Sequence, residues 1–200
     1  MYKFVGNNDF GSLSTGTLRP EDLIPCFVDE IERLRILNNE PEIPEIEEIK
    51  EKIRKDSLND DEDTNTTQES YFESEEASID LDEYLFYQLD SYAPPFCYFG
   101  ANKGDGADFG FWVADDYIMD HFFYDDPTNF EKLDRFKMPK AGEYIDLDNE
   151  YCLTVNDYGE FVKMEKIIVV NLDPPQETFV NGEMVLVVKS SIKETIWENC

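Results

Sequence analysis

Along the 200-residue chain the spacing of apolar positions changes about halfway. In the first half, Leu23, Phe27, Ile31 and Leu34 recur at helical intervals, joined by Ile24 and Val28, while Asp29, Glu30, Glu32 and Arg33 fall on the opposite face. Arg19-Pro20-Glu21-Asp22 opens this stretch: proline fits the first helical position and the two acids complement the positive end of the helix dipole. A packed amphipathic helix is predicted, with Pro25 either kinking it or marking its true start. Pro41 and Pro44 break the pattern, and a second helix is predicted from Glu45 to Lys55, with Ile46, Ile49 and Ile53 on one narrow face. Residues 1–18 read as a strand-like start (Tyr2, Phe4) followed by a Gly/Ser/Thr/Asn loop. Residues 56–78 read as a solvated loop whose aromatic anchor is Tyr71-Phe72. Asp80 is expected to cap a third helix reaching Gln88, with Glu83 completing a capping box and Leu81, Tyr84, Leu85 and Leu89 facing inward.

Beyond Pro94-Pro95 the pattern turns to strands. Phe96–Phe99 and Phe109–Val113 are two short aromatic strands, joined by the glycine-rich loop 100–108. Two short helical stretches are predicted over residues 115–136, separated by Pro127. Strands return at 144–147, 151–155 and 161–170, with a turn at Asn156-Asp157-Tyr158-Gly159. Asn181-Gly182, a type I′ hairpin signal, precedes strands at 184–189 and 192–197. Helices first and mostly antiparallel sheet afterwards predict an α+β fold. Its expected parts are an N-terminal helical segment (1–55), an acidic flexible tract (56–79) and an α+β domain with antiparallel sheet (80–200).

Charge sharpens this picture. There are 46 acids against 17 bases, a formal charge of −29, and twelve acids but no Lys, Arg or His between Asp56 and Glu83. Direct nucleic-acid binding needs clustered Lys and Arg, so it is excluded, and an anionic membrane surface is disfavoured on the same ground. No apolar run approaches the roughly 18 residues of a spanning helix. With no secretory signal visible, the expected address is cytoplasmic, in a bacterial or host cell. Cys26, Cys97, Cys152 and Cys200 are too widely spaced for a metal or redox motif and are expected to be reduced, the first three buried. No cofactor is expected.

Candidate chemistry is sparse. The Gly100–Gly106 loop lacks the Lys-Ser/Thr of a phosphate cradle and carries Asp105 instead. Asp115, Asp116, Asp120, Asp125 and Asp126 flank His121, the only histidine, and Asp116 and Asp120 lie four apart, so they could share a divalent ion on a helix. A metal-dependent hydrolase built on residues 115–126 is therefore one alternative, and a structural or assembly subunit another. The leading expectation is a binding surface that meets Arg and Lys of a partner. Its candidate acids are Asp60, Asp61, Glu62, Asp63, Glu69, Glu73, Glu75 and Glu76, together with Asp115, Asp116, Asp120, Asp125 and Asp126; its aromatic anchors are Tyr71, Phe72 and Tyr124.

The stretch Pro95-Phe-Cys-Tyr-Phe-Gly-Ala-Asn-Lys-Gly-Asp-Gly-Ala-Asp-Phe-Gly-Phe-Trp-Val113 resembles the central strand, Gly loop and strand of the SUKH group. That resemblance implies an α+β immunity protein acting against a toxin; the group's opening helix followed by a Leu-Pro segment has no clear match here. By type, without a shared motif, the chain is also similar to viral acidic proteins that mimic nucleic acid and block restriction or CRISPR enzymes. Both point to a non-enzymatic inhibitor, a monomer or small oligomer, whose partner is a basic protein such as a nucleic-acid-handling enzyme or toxin.

Overall fold

The computed structural model describes residues 10–59, 70–124, 140–146, 151–180 and 183–198. The expected strand at Tyr2 and Phe4, the helical stretch beyond residue 124 and the Asn181-Gly182 tip lie outside them. The fold is α+β, and the chain divides into two compact units between Ala114 and Asp115.

The first unit joins helices to a three-stranded antiparallel sheet in the order β1 (Gly11–Thr15), β3 (Asp105–Val113), β2 (Cys97–Asn102). Strand β1 falls where a loop was expected. Glycine makes the pairing possible: a Cβ on Gly110 would come within 1.9 Å of the Gly11 carbonyl oxygen, so only a bare backbone can approach there. The expected loop 100–108 is mostly ladder as well. Asn102 and Asp105 accept from the backbone N–H groups of Gly104 and Ala107, and these bonds fold Lys103-Gly104 into a tight turn.

Helix α1 (Pro20–Leu37) starts at Pro20 and runs through Pro25, so that proline does not mark its start. Asn39, at φ 54°, ends it: the Glu40 N–H bonds the Arg35 carbonyl and the Asn39 N–H bonds the Ile36 carbonyl, a paired closure of the last turn. Helix α2 (Pro44–Asn59) continues past Lys55 into the tract expected to be loop. The third helical run begins before Asp80, with α3 (Glu75–Ile79), a π-helical turn (Asp80–Leu85) and α4 (Phe86–Asp90). Ser74, not Asp80, caps it by accepting from the Ala77 N–H at 3.2 Å. The expected boundary at residue 79 thus falls inside one continuous helical run, because Ala77 and Leu81 bury into the same core. The π-helical turn has a reason in the spacing of that core. Leu81, Leu85 and Leu89 repeat every four residues, which drifts around a 3.6-residue helix, and a wider turn reduces the drift.

Phe27 is fully buried at the centre of the unit, with ring centroids 5.2 Å from both Phe86 and Phe99 and 6.0 Å from Phe109. These are edge-on contacts, each contributing beyond the area buried.

The second unit has α5 (Asp115–Met119), a π-helical turn (Asp120–Tyr124) and an antiparallel meander β4 (Gly142–Asp146), β5 (Tyr151–Val155), β6 (Phe161–Val180), β7 (Glu183–Glu198). Register sets Tyr144, Leu153, Met164 and Trp197 in one row across four strands. Phe123 packs edge-on against Tyr144 at 4.7 Å. Strands β6 and β7 form a longer ribbon than the separate short strands expected, with the ladder irregular between Asn171 and Gln176. Of the cysteines, Cys152 is buried, whereas Cys26 and Cys97 are only half-buried, correcting the expectation for those two.

Candidate functional site

In the first unit, most cations serve the fold. Arg33 forks onto Glu30 and Arg35 onto Glu32, each three residues away on α1. Arg54 and Lys55 meet Glu51, and Lys50 bridges Glu47 to Glu32 on the neighbouring helix. Arg19 meets Glu21. The Arg35 hydrogen bonds, with Lys50 adding, hold the Glu32 carboxyl below its ordinary range against the opposing effect of burial. Lys52 joins Glu76 and Asp80, both at 2.7 Å. Burial works against the Lys52 charge, but its hydrogen bonds to Asp80 and Glu76 outweigh it and raise the ammonium's pKa. Arg19, Arg54 and Lys55 are themselves exposed within their pairs, and the exposed charge beyond them is mainly carboxylate. Asp29, Glu42, Glu45, Glu48, Glu73, Glu75, Asp82 and Glu83 are exposed and form no ion pair among the described residues.

The predicted site residues separate accordingly. Asp60, Asp61, Glu62, Asp63, Glu69, Asp125 and Asp126, with the side chain of Tyr124, lie outside the described residues. Glu73 and Glu75 are exposed near the start of α3, while Glu76 is engaged by Lys52. Tyr71 and Phe72 are half-buried and packed on the core. The Tyr71 hydroxyl donates to Asp80 at 2.8 Å, its N–H donates to Asp56, and its ring lies beneath the Lys52 ammonium. Burial first, and the Asp80 carboxylate second, push that phenol's pKa up. Among the described residues the exposed aromatics are instead Tyr87, Tyr117 and Tyr158.

In the second unit, Asp115, Asp116 and Asp120 are exposed, and His121 is half-buried between the rings of Tyr117 and Phe122. Among the described residues, Asp116 and Asp120 join no group of three potential ligands. The grouping that does occur is Glu143, Cys152 and Glu165, whose ligand atoms lie within 4.8 Å of one another. Lys193 Nζ sits against all three, 2.9 Å from Glu143, 3.3 Å from the Cys152 sulfur and 3.6 Å from Glu165. Its pKa is raised, chiefly by the Glu143 hydrogen bond, so it brings a fixed positive charge to the cluster, and Lys163, 2.7 Å from Glu165, brings a second.

One concave feature stands out in the first unit. An open groove of about 410 Å³ runs between the link from α1 to α2 and the following helical run, lined by Glu42, Glu45, Pro41, Ile43, Tyr84 and Gln88 among others. The link is rigid: two prolines fix φ, Arg35 donates to the Glu40 carbonyl at 3.0 Å, and the buried Tyr92 hydroxyl donates to the Glu40 carboxylate at 2.6 Å. Tyr84, half-buried in the wall, has its pKa pushed up to about 12 by burial, with Glu45 adding. The segment Glu40-Pro-Glu-Ile-Pro-Glu45 carries a legible signal, an acid beside each proline, that the reading of these prolines as helix breaks passes over.

No family model matches the chain, and no significant match exists to a curated protein or to a solved structure. No described helix is long and apolar enough to cross a membrane.

Proposed function

We propose that this chain is a non-enzymatic binding or inhibitory protein whose acidic surface docks on a basic surface of a nucleic-acid-handling enzyme or a toxin, acting in the cytoplasm of a bacterial or host cell. One observation carries this reading. In the first unit most cations are drawn into intramolecular pairs while a set of carboxylates stays exposed, so the surface charge is predominantly negative. Such a field steers a basic partner into encounter, and carboxylates can take the positions that phosphates occupy on nucleic acid. The resemblance of residues 95–113 to the SUKH group, whose members serve as immunity proteins, agrees with an inhibitory role. Those residues form the β2–β3 hairpin.

The test is capture of partners from lysate at about 50 mM NaCl followed by a salt ramp to about 500 mM, over which screening shortens several-fold. A specific basic protein should elute within the ramp. Retention that is flat across it, or a captured partner with no basic surface, overturns the proposal.

A further inference from the structure

Resting on that reading, we infer that the groove between residues 40–45 and the π-helical turn is a receptor for one arginine side chain of the partner. The groove combines the two features a guanidinium on an aliphatic stem requires. Pro41, Ile43 and the Tyr84 ring make apolar walls for the methylenes, and Glu42 and Glu45 at the rim are exposed carboxylates that form no ion pair among the described residues. Arginine fits this set better than lysine. Its planar fork can engage a carboxylate through two parallel hydrogen bonds and can also stack on an aromatic ring, whereas an ammonium is a compact, strongly hydrated point charge.

The electrostatics at this spot favour a cation despite two opposing terms. The start of α2 at Pro44 brings the positive end of a helix dipole, worth about half a charge. Pro44 has no N–H, and the N–H groups of Ile46 and Glu47 bond the Ile43 carbonyl, so three of the first four donor positions of that helix end are taken or missing. Arg35 interacts with Glu42 through space, but its guanidinium is committed by hydrogen bonds to Glu32 and to the Glu40 carbonyl. The site is also preformed: the two prolines, the closure at Asn39 and the Tyr92–Glu40 bond hold the rim before any ligand arrives, which lowers the ordering cost of binding.

The experiment titrates the isotope-labelled full chain with N-acetyl-arginine amide, and separately with N-acetyl-lysine amide, following amide and side-chain resonances. Saturable shifts centred on Ile43, Tyr84 and Gln88 are expected, with arginine bound roughly fivefold more tightly than lysine. Glu42→Gln with Glu45→Gln should weaken arginine binding about tenfold, the loss of two charge-assisted bonds, while resonances of the Phe27 core stay in place. Tyr84→Leu keeps the wall apolar and should erase most of the preference for arginine over lysine. Shifts that do not saturate, that spread equally to Asp29 and Asp82, or that survive the double substitution overturn the receptor, and equal affinity for the two amides overturns its arginine preference. If arginine amide leaves the groove silent while the salt ramp still releases a basic partner, the receptor falls and the docking reading stands. A silent groove together with no captured partner removes both.

Discussion

The two units handle the same excess of carboxylate in different ways. In the first, pairing is largely local: Glu30–Arg33, Glu32–Arg35 and Glu51–Arg54 each lie one helical turn apart. In the second, besides the local Lys163–Glu165 pair on β6, it runs across strands, with Lys193 of β7 reaching Glu143 on β4 and Glu165 on β6 beside the Cys152 thiol of β5. Helical pairing consumes acids on one stripe and leaves the remaining acids facing water. Each mode buries one carboxylate, Glu30 on α1 at 9% exposed and Glu165 on β6 at 8%, while Glu143 of the sheet network stays open to water. The helical unit thus satisfies most of its cations within a turn and still presents exposed acids, while in the sheet unit one lysine ties residues of three different strands together.

The packing of the first unit is where the largest effect is expected. Phe27→Ala removes the ring that meets Phe86, Phe99 and Phe109 and should cost about 3–5 kcal/mol, measured by urea unfolding followed at first-unit amides. A cost below about 1 kcal/mol would mean that the aromatic cluster does not organise this unit. For the second unit, Glu165→Gln takes the carboxylate from Lys163, 2.7 Å away, and from Lys193, and should cost about 1–2 kcal/mol in thermal unfolding. Ser74→Ala removes the cap of α3 and should cost about 1 kcal/mol, whereas Asp80→Asn should leave the start of that helix intact while loosening Lys52 and Tyr71.

Acid titration compares the two pairing modes directly. Glu32 is held below its ordinary pKa by Arg35 and then Lys50, and Glu165 by Lys163 and then Lys193. A carboxylate whose folded pKa is depressed binds protons more readily in the unfolded chain. Its contribution is therefore fully present above the ordinary glutamate value of 4.5 and is lost as pH falls through the folded value. Stability should decline on the acid side of about pH 4.5, and Glu32→Gln and Glu165→Gln should each flatten that decline in its own unit. An unchanged slope in either variant would remove that pair from the account.

Much of the architecture was legible because it follows from local period. The α1 stripe, the first turns of α2, the β2–β3 hairpin and the later strands all follow from repeats of 3.6 or 2. Local rules failed where a distant partner decided the matter. Asp80 has the chemistry and spacing of a cap, but Lys52, 28 residues upstream, and Tyr71 claim its carboxylate, and the cap passes to Ser74. Tyr71 and Phe72 look like free anchors in a polar stretch, yet they pack on the core. Strand β1 has almost no apolar signal and forms because Gly110 lets the Gly11 backbone come close.

By itself, then, the order of residues determined the α+β class, the helix stripes and a strongly negative net charge, since each depends on composition or on neighbours a few positions apart. Only the tertiary structure decided which acids are neutralised, which aromatics are exposed, and that residues 40–45 meet Tyr84 and Gln88 around a groove. The physical reason is that ion pairing, burial and concavity are relations between groups far apart in the chain, and a linear pattern carries no measure of which of them will touch.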